Sequence, residues 1–586
     1  MASTTALFTG LAGLNSNARQ LDVIGNNISN VNTTAYKSNR LQFSSAFNRT
    51  FSLGTSPNAS TGGSNPGQIG LGVTMAGTQR NFSNGAISPT GLNTDLAIEG
   101  NGFFVVERAG ERLFTRAGAF QFNSQNDLVT LSGDRLQGYP VDSEFNIIEG
   151  RVEDVNIPIG TLTIAEATQN VTFSGNLNAD GDVAQQGSII SLGTFTTGGV
   201  APTPATLMTA LDPPGTFVDG NTIELRQAER GGKVIPTAQF DITATTTLGD
   251  YMDWLRVNLG IYENGGDDPT DPAGVSTDGS VSLGGAGGDE IIIVGNPGEI
   301  NDLEIDASDI FVQQGTAAGP PPNATPFAPV KSQSADGESV RTTFIVYDSL
   351  GTELQVDVTL VLSAKTGGGT FWRPYMHSDD DTDAANLLEN GTLFAAGSED
   401  LPMLQFDNFG QLSTTGQYNI QVDRFNTGAL DPLQIALRFA SDADQVSALS
   451  NTGGGSTLAA VFQDGSPLGV LSSFSVGENG TITGGFTNGL TRTIGQLAIA
   501  NFTNPEGLVD SGNNLFAVGP NSGTALITEP LEFGTGRIIG GALELSNVDL
   551  SQEFINMILT STGYSAASRV VTTTNELMNQ LLVLGR

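Results

Sequence analysis

Apolar residues at helical spacing mark both ends of the chain. Near the N-terminus they recur at steps of three or four residues, the period of one helical face. This first stripe consists of Leu7, Leu11, Leu14, Ala18, Leu21, Ile24, Ile28 and Val31. The second stripe consists of Leu550, Phe554, Met557, Tyr564, Ala567, Val571, Thr574, Met578 and Leu581. The pattern predicts two long terminal helices.

Both predicted helices have weak intrinsic propensity. Gly10, Gly13 and Gly25 each cost about 1 kcal/mol relative to alanine inside a helix, and residues 560–574 are rich in Thr, Ser and Ala. Such helices gain their stability mainly from burial of the apolar stripe. Two interpretations follow: the helices pack on each other as a coiled coil that caps a monomer, or they become ordered only when many copies assemble side by side.

The segment after the first stripe, "NNISNVNTTAYK" (26–37), predicts the end of the first helix near Val31 or Asn32. Asn and Thr side chains form hydrogen bonds with nearby backbone groups and therefore favour caps and turns. Residues 52–69 are rich in Gly, Ser, Asn and Pro, which predicts an extended connector.

The interior has the two-residue period of half-buried strands. Two runs alternate: Leu354, Val356, Val358, Leu360 and Leu362, and then Leu433, Ile435, Leu437 and Phe439. Residues 103–106 predict a buried strand, and residues 219–227 predict another. In residues 243–261 four apolar residues share one helical face, with Thr247 as the expected N-cap. These four are Leu248, Tyr251, Leu255 and Leu259.

Composition narrows the class of protein. A length of 586 residues suggests about four domains, and 24 basic against 61 acidic residues give a net charge of −37. That charge repels phosphate backbones and anionic membranes, so nucleic acid is not an expected partner. The absence of cysteine excludes disulfides and thiolate metal sites. We expect no membrane insertion and no cleaved signal peptide, because the sequence has neither a long apolar run nor a basic start.

Candidate chemistry centres on His377, the only histidine, which precedes Asp379, Asp380, Asp381 and Asp383. The spacing is similar to a calcium loop. However, Ala384 occupies the position of the required glycine and Asn390 that of the bidentate glutamate, so an acidic solvated loop is the favoured interpretation. No catalytic, cofactor or metal site is expected. A secreted acidic adhesin or polysaccharide-acting enzyme remains the alternative from another class, because paired carboxylates are recognised only by their separation in space.

Several segments have a specific resemblance to the bacterial axial flagellar family of rod, hook and hook-associated proteins. They are residues 21–43, 70–106, 114–139, 494–523 and 541–558. The family motif corresponds to Asn26, Asn27, Asn30, Thr33, Tyr36, Lys37, Ser546, Asn547, Val548 and Asp549. Residues 170–181, 344–362, 404–413 and 463–489 resemble the outer domains of the hook branch, which a distal rod component lacks. The sequence departs from the family at Ser561 and Thr562, where a Gln-Arg pair is usual.

The resemblance implies a mainly β, multidomain fold with nested insertions. Residues 1–32 with 545–586 would form a terminal helical assembly domain, with the two helices paired as a coiled coil, and residues 33–69 an extended connector. Residues 70–160 with 455–544 would form an inner β domain. Residues 161–185 with 330–454 would form a middle β domain, and residues 186–329 an inserted outer α+β domain.

The resemblance also implies a non-enzymatic structural subunit that self-assembles into the tubular hook, the flexible coupling that transmits torque from rod to filament. A distal-rod-like component is the alternative within the family. The implied partners are further copies of the chain, the distal rod protein, the hook cap, the hook-filament junction protein and the flagellar type III export apparatus. The implied location is the extracellular flagellum.

Overall fold

A computed structural model describes residues 2–262, 279–313, 325–382, 403–414, 416–440, 445–451 and 453–584. It contains three α-helices, α1 (Ala2–Ser29), α2 (Leu248–Asn258) and α3 (Leu550–Leu584), within these residues. Short 3₁₀ helices cover Met208–Ala210, Glu299–Asn301 and Pro505–Gly507. The rest of the regular structure is β, which confirms the predicted fold class.

The chain divides into two compact units, and the second is inserted into the sequence of the first. Unit 1 comprises Met1–Thr163 and Val470–Arg586, and unit 2 comprises Ile164–Gly469. Strands Thr163–Glu166 and Ser466–Val476 contain the two crossing points. The nested organisation expected from the sequence is therefore present.

Unit 1 contains strands contributed by both halves of its chain. Its first half holds Asn39–Ser45, Asn48–Ser52, Gly67–Gly70, Val73–Arg80, Ile87–Pro89, Leu96–Glu99, Phe103–Arg108, Glu111–Thr115, Phe120–Phe122, Leu128–Thr130, Arg135–Tyr139 and Glu153–Asp154. Its second half holds Thr481–Phe486, Thr491–Leu497, Ile499–Asn501, Val509–Asp510, Leu515–Ala517, Leu526–Thr528, Arg537–Gly540 and Ala542–Glu544.

The two halves of unit 1 meet in one antiparallel sheet. Gly138 pairs with Leu497, and Phe104 pairs with Ile499. The predicted buried strand 103–106 is confirmed, since all four of its residues are at most 2% exposed. An aromatic cluster packs against this strand, with the rings of Phe103 and Phe516 in edge contact at 6.0 Å.

The predicted connector of residues 33–69 is instead mostly a two-stranded ribbon. Strand Asn39–Ser45 pairs with Val73–Arg80, and Asn48–Ser52 pairs with Gly67–Gly70. Its turn is built by Asn58, whose Oδ1 accepts hydrogen bonds from the backbone N–H groups two and three residues later. The Gly- and Asn-rich composition marked this turn rather than an extended linker, because such residues also allow a chain to fold back.

Unit 2 contains two large hydrophobic cores in the part of the chain that the structure describes. The strands are Asn170–Asn176, Gly187–Thr194, Thr222–Leu225, Glu229–Arg230, Lys233–Val234, Ala238–Asp241, Ser280–Gly284, Glu290–Pro297, Leu303–Glu304, Ile310–Gln313, Val330–Gln333, Ser339–Tyr347, Glu353–Thr366, Gly369–His377, Leu404–Phe406, Gln417–Val422, Leu433–Arg438, Val446–Ser447 and Thr457–Gln463.

The first core of unit 2 lies between two sheets, one led by Ser339–Tyr347 and the other by Gln417–Val422. Both predicted alternating runs contribute their apolar residues to it, and Phe173 stacks on Phe439 at 4.7 Å. Strand Thr457–Gln463 pairs with Asn170–Asn176. Residues 455–469 therefore belong to unit 2, and their predicted place in the inner β domain is wrong. The sequence does not show this, because strand pairing depends on partners distant in the chain.

The second core of unit 2 belongs to the insertion of residues 186–329. Here α2 begins with a capping box between Thr247 and Asp250, which confirms the predicted N-cap. The four apolar residues of the predicted helical face are at most 1% exposed. Strand Thr222–Leu225 confirms the strand predicted at 219–227. Strand Val330–Gln333 pairs with Gly187–Thr194, so the insertion extends slightly beyond its predicted boundary.

Candidate self-assembly surface and terminal junction

Helices α1 and α3 pack against each other in antiparallel orientation. A Cβ atom added to Gly10 would lie 2.9 Å from Val571 Cγ2, and one added to Gly13 would lie 3.5 Å from Ala567 Cβ. Farther along α1, Asn27 Nδ2 donates a hydrogen bond of 3.1 Å to Glu553 Oε1. Increasing positions in one helix therefore match decreasing positions in the other. The glycines that weaken α1 lie at the contact, where they permit close approach of the two helices.

The predicted stripe of α1 is turned mainly toward the protein. Ile24 is buried at 4% exposure and Leu11 is exposed at 50%. The other predicted positions are half-buried: Leu7, Leu14, Ala18, Leu21, Ile28 and, just beyond the helix, Val31. This helix therefore uses its predicted face largely within the single chain.

The predicted stripe of α3 is divided between two faces. Met557, Ala567, Val571 and Met578 are half-buried and Thr574 is buried, whereas Leu550, Phe554, Tyr564 and Leu581 are exposed. The face toward α1 thus contains mostly small or polar residues, including Thr560 at 4% exposure. The sequence did not show which face of α3 contacts α1, because the small residues that line the contact interrupt the apolar pattern.

An apolar surface covers the outside of the helix pair, and only Leu11, Phe554 and Leu581 of it belong to the stripes predicted from the sequence. It consists of Phe8, Leu11, Phe554, Ile555, Ile558, Leu559, Val570, Leu577, Leu581, Leu582 and Val583, which are 44% to 75% exposed. We refer to it as the outer helical surface. The sequence signal for it is the run "FINMIL" (554–559), which places apolar residues on more than one helical face. Extended apolar surfaces of this kind mark sites of association with other molecules.

The Asn-rich motif after α1 forms the junction between the helices and the β structure. Asn27 is 1% exposed. Its side chain donates to the carbonyl oxygen of Asn39 at 2.8 Å and accepts from the N–H of Asn39 at 3.0 Å. Asn27 Oδ1 also accepts a hydrogen bond of 3.3 Å from the Tyr36 hydroxyl. One amide thereby holds the end of α1 against the start of the ribbon.

The neighbouring motif residues close the turn itself. Asn26 Nδ2 donates to the Tyr36 hydroxyl at 3.2 Å, and Asn30 Nδ2 donates to the carbonyl oxygen of Asn26 at 2.9 Å. Thr33 Oγ1 donates to Asn30 Oδ1 at 3.1 Å. The chain leaves the helix through side-chain hydrogen bonds that satisfy its backbone, which explains the crowding of Asn and Thr at this point.

The C-terminal part of the motif reaches the same junction before α3. Asn547 Oδ1 accepts from the N–H of Ser38 at 2.8 Å, and its Nδ2 donates to the carbonyl oxygen of Asn81 at 2.8 Å. Ser546 Oγ accepts from the N–H of Val548 at 3.3 Å. Asp549 Oδ1 accepts hydrogen bonds from the N–H groups of Ser551 and Gln552 in the first turn of α3 and so acts as its N-cap.

A buried ion cluster lies beneath this junction. Lys37 Nζ is 2.7 Å from Glu544 Oε1, with both side chains 0% exposed, and Arg116 Nη1 is 3.6 Å from Glu544 Oε2. Lys37 Nζ also donates to the carbonyl oxygen of Ser83 at 2.8 Å. Burial lowers the pKa of Lys37, although Glu544 opposes this effect, and burial likewise lowers the pKa of Arg116. The family motif includes Lys37. Arg116 and Glu544 were not predicted as site residues, because nothing in the sequence shows that they lie close to Lys37.

The loop after His377 uses its carboxylates for local structure. Asp379 Oδ1 lies 2.8 Å from His377 Nε2, Asp380 accepts from the N–H of Gln355 at 2.8 Å, and Asp381 accepts a backbone N–H at 2.9 Å. Asp383, Ala384 and Asn390 lie outside the described residues. The described part of the chain contains no group of three His, Asp or Glu side chains able to hold a metal ion.

Among the helices of the described residues, none is both long and apolar enough to span a bilayer.

Four family models match successive parts of the chain. They are "Flagella basal body rod protein" (7–37), "Flagellar hook protein FlgE/F/G D1 domain" (97–185), "Flagellar basal body protein FlaE D2 domain" (317–466) and "Flagellar basal body rod FlgEFG protein C-terminal" (539–584). The first and last of these cover most of α1 and α3 and much of the junction. The class of protein is thus an axial flagellar protein.

Flagellar hook proteins of several bacteria are similar to this chain over nearly its whole length. The flagellar hook protein FlgE of Treponema pallidum is 26% identical, with 99% of both chains covered. The flagellar hook protein FlgE of Escherichia coli is 25% identical, with 99% of this chain and 100% of the relative covered. A crystal structure of Helicobacter pylori flagellar hook protein FlgE2 covers 78% of this chain and 100% of its own at 16% identity, with a TM-score of 0.36. The chain belongs to the flagellar hook protein family.

Proposed function

We propose that this chain is the structural subunit of the flagellar hook. Its copies pack their terminal helices side by side into the inner wall of a tube around a central channel, and the β units project outward. The tube acts as a flexible coupling that transmits torque from rod to filament. The observation that supports this proposal most directly is the outer helical surface, together with membership of the hook protein family.

The energetics favour assembly over a monomeric role for the helices. Full burial of a Leu, Ile or Phe side chain contributes about 1.5–3 kcal/mol. Ile558, Leu559 and Leu582 are each at least 65% exposed in the single chain, so contact with further copies gains free energy that the α1–α3 pair alone does not. This combines the two interpretations of the sequence: the helices pair within the chain and offer a second surface to neighbours. We propose that all the stripe residues belong to this helical layer.

The ribbon supports a second contact between copies. Phe47, Phe51, Leu53 and Ile69 are 54% to 89% exposed along it. An isolated two-stranded hairpin is marginally stable in water, so we propose that neighbouring subunits cover these side chains and that the ribbon braces the tube. Deletion of residues 52–69 should give straight or brittle hooks, as seen by electron microscopy. Hooks of unchanged curvature and stiffness would count against the bracing role.

The same proposal assigns a different role to each domain. Residues 1–32 with 545–586 supply the assembly layer, and the ribbon connects them to the inner β domain. The middle β domain and the insertion of residues 186–329 form the outer parts. Their acidic surfaces suit contacts that slide as the tube bends, because water replaces the polar contacts that are lost.

Partners and location follow from the hook assignment. We propose that the protein is exported by the flagellar type III apparatus without a cleaved signal peptide and polymerises outside the cell beneath the hook cap. It then joins the distal rod protein at one end and the hook-filament junction protein at the other. Its role is structural and not enzymatic, and we assign it no cofactor.

The polymer itself tests the proposal. Purified protein should grow into curved tubes in negative-stain electron microscopy, whereas straight rods would favour a distal-rod-like component, and no polymer would favour an adhesin or a polysaccharide-acting enzyme. Ile558→Asp should abolish tubes and leave the monomer's unfolding curve unchanged, because Ile558 is 66% exposed. Leu14→Asp and Met578→Asp should also abolish tubes, since each would place a charge in the helical layer. Tubes formed by all three variants would contradict the proposed inner layer.

A further inference from the structure

A charged joint connects the insertion to the middle β domain within unit 2. Lys233 of the insertion places its Nζ 2.6 Å from Asp357 Oδ2 in strand Glu353–Thr366. In the opposite direction, Arg341 Nη1 donates to the carbonyl oxygen of Arg230 at 3.0 Å, and Nη2 donates to that of Ile300. The side chains of Asp357 and Arg341 belong to the middle β domain and their partners to the insertion. The contact is therefore held by ionic and charge-assisted hydrogen bonds.

A small apolar contact completes the joint. The rings of Tyr262 and Tyr375 meet edge to face at 5.9 Å, and Val361 and Ala184 pack beside them. Val361 is 0% exposed although it lies on the face of its strand opposite the main core. The insertion thus covers a surface of the sheet that the alternating sequence pattern predicted to be exposed to solvent.

His377 lies at the centre of this joint. Its Nε2 contacts Asp379 Oδ1 at 2.8 Å, while its Nδ1 is buried without a hydrogen-bond partner among the described residues. A cavity of about 10 Å³, room for about one water molecule, lies beside it. A larger cavity of about 180 Å³ reaches the imidazole from the side of Ile235 and Val257. Protons from solvent can therefore reach a ring that is mostly buried.

Few negative charges near the imidazole of His377 are available to balance the positive charge that a bound proton would add. Among the described residues, the charged or titratable side chains around it, from all of the packed elements, are Arg230, Lys233, Tyr262, Arg341, Asp357, Tyr375, Asp379 and Asp381. Asp357 is already paired with Lys233, and Asp381 accepts a backbone N–H. Of these carboxylates, Asp379 is the one that contacts the ring directly. Burial lowers the pKa of His377, against the opposing hydrogen bond of Asp379, and the charge on Arg230 lowers it further. Burial and Arg341 also lower the pKa of Arg230 to about 10.

We propose that this joint is an acid-sensitive latch, which holds the insertion on the middle β domain while His377 is neutral and loosens when His377 binds a proton. The direction follows from proton linkage. An exposed histidine binds a proton below about pH 6.5, and the closed joint resists that protonation, so the opened form gains relative to the closed form as the pH falls. At low pH the opening constant exceeds its value at neutral pH by the ratio of the acid dissociation constant of His377 in the closed joint to that in the opened joint.

The single histidine allows a direct test on the full chain. With ¹³C-labelled histidine, the only imidazole resonance should titrate at a pH below that of an exposed histidine. Amide hydrogen exchange, corrected for its intrinsic pH dependence, should increase in strands Glu353–Thr366 and Glu229–Arg230 between pH 7 and pH 5. Strand Phe103–Arg108 of unit 1 is the internal control and should not change. A resonance that titrates like that of an exposed histidine, or exchange that is independent of pH at the joint, would overturn the proposal.

Two variants distinguish the effect of His377 protonation on the joint from a general effect of acid on the protein. His377→Gln removes the proton site, so the increase in exchange at the joint should disappear, and its persistence would overturn the proposal. Asp379→Asn keeps the imidazole but removes the carboxylate that favours its protonation, so the histidine resonance should titrate at lower pH than in the wild-type chain. No change in that titration would also overturn the proposal. Asp379→Asn serves as the decisive variant if His377→Gln does not fold, and neither measurement depends on hook assembly.

Discussion

Lys37 Nζ and Glu544 Oε1 lie 2.7 Å apart with both side chains fully buried, and this pair joins the two ends of the chain. Lys37 follows the exit of α1, and Glu544 ends the last strand before α3. The N–H of Ala35 also donates to the carbonyl oxygen of Glu544 at 2.8 Å. The junction therefore requires residues from both ends of the chain.

Removal of the buried anion should strongly destabilise unit 1. Glu544→Gln leaves the cations Lys37 and Arg116 buried without a carboxylate, and breaking a buried pair in this way costs about 3–5 kcal/mol. Urea dependence of amide exchange in strand Phe103–Arg108 measures this loss. Arg537→Gln is the matched control, because its pair with Glu99 is more than 40% exposed at both side chains and should be worth at most about 1 kcal/mol. Equal losses in the two variants would contradict the role of the buried cluster.

Two glycines of α1 should respond to alanine in opposite directions. Gly10→Ala would bring a Cβ atom to 2.9 Å from Val571 Cγ2, so the helix pair must separate and the helical content of the monomer should fall. Gly25→Ala meets nothing within 4 Å and should stabilise the helix by about 1 kcal/mol through its higher propensity. Circular dichroism of the monomer during thermal unfolding measures both effects. A gain in helix for Gly10→Ala would show that the two helices do not pack as described.

Asp134 should make unit 1 sensitive to acid. Burial raises the pKa of Asp134, but hydrogen bonds from Arg108, Ser132 and Thr130 lower it more, so the pKa lies below its ordinary value. A carboxyl group with a depressed pKa stabilises the fold above its unfolded pKa of about 3.9, and this contribution is lost as the pH falls through the folded pKa. Asp134→Asn should therefore lower the unfolding free energy by about 1–2 kcal/mol at neutral pH.

The difference between this variant and the wild-type chain should shrink as the pH falls through the folded pKa of Asp134. Chemical unfolding at a series of pH values measures it. A constant difference across the whole range would show that the carboxylate charge contributes nothing beyond its shape.

The sequence predicted local features better than the pairing of distant segments. The N-cap Thr247 and the apolar face of α2 were predictable because a helix depends on residues a few positions apart. Strand Thr457–Gln463 was assigned to the inner β domain because nothing in its own residues specifies Asn170–Asn176 as the partner. The sequence also did not specify which face of α3 contacts α1, because small or polar residues such as Thr560 line part of that face, whereas Phe554 and Leu581 of the predicted stripe are exposed.

Replacement of Asn547 should test the hydrogen bonds that the oxygen and the nitrogen of its side-chain amide form with Ser38 and Asn81. Asn547→Ala leaves the N–H of Ser38 and the carbonyl oxygen of Asn81 without this partner, and each lost bond to a neutral group costs about 1 kcal/mol or more. Asn547→Asp keeps the acceptor for Ser38 but places a carboxylate oxygen against the carbonyl oxygens of Asn81 and Ser83, which repel it. Amide exchange in strand Asn39–Ser45 should therefore increase in both variants. If exchange in this strand stays at the wild-type rate in both, the ribbon is held by other contacts and the motif does not fix it to α3.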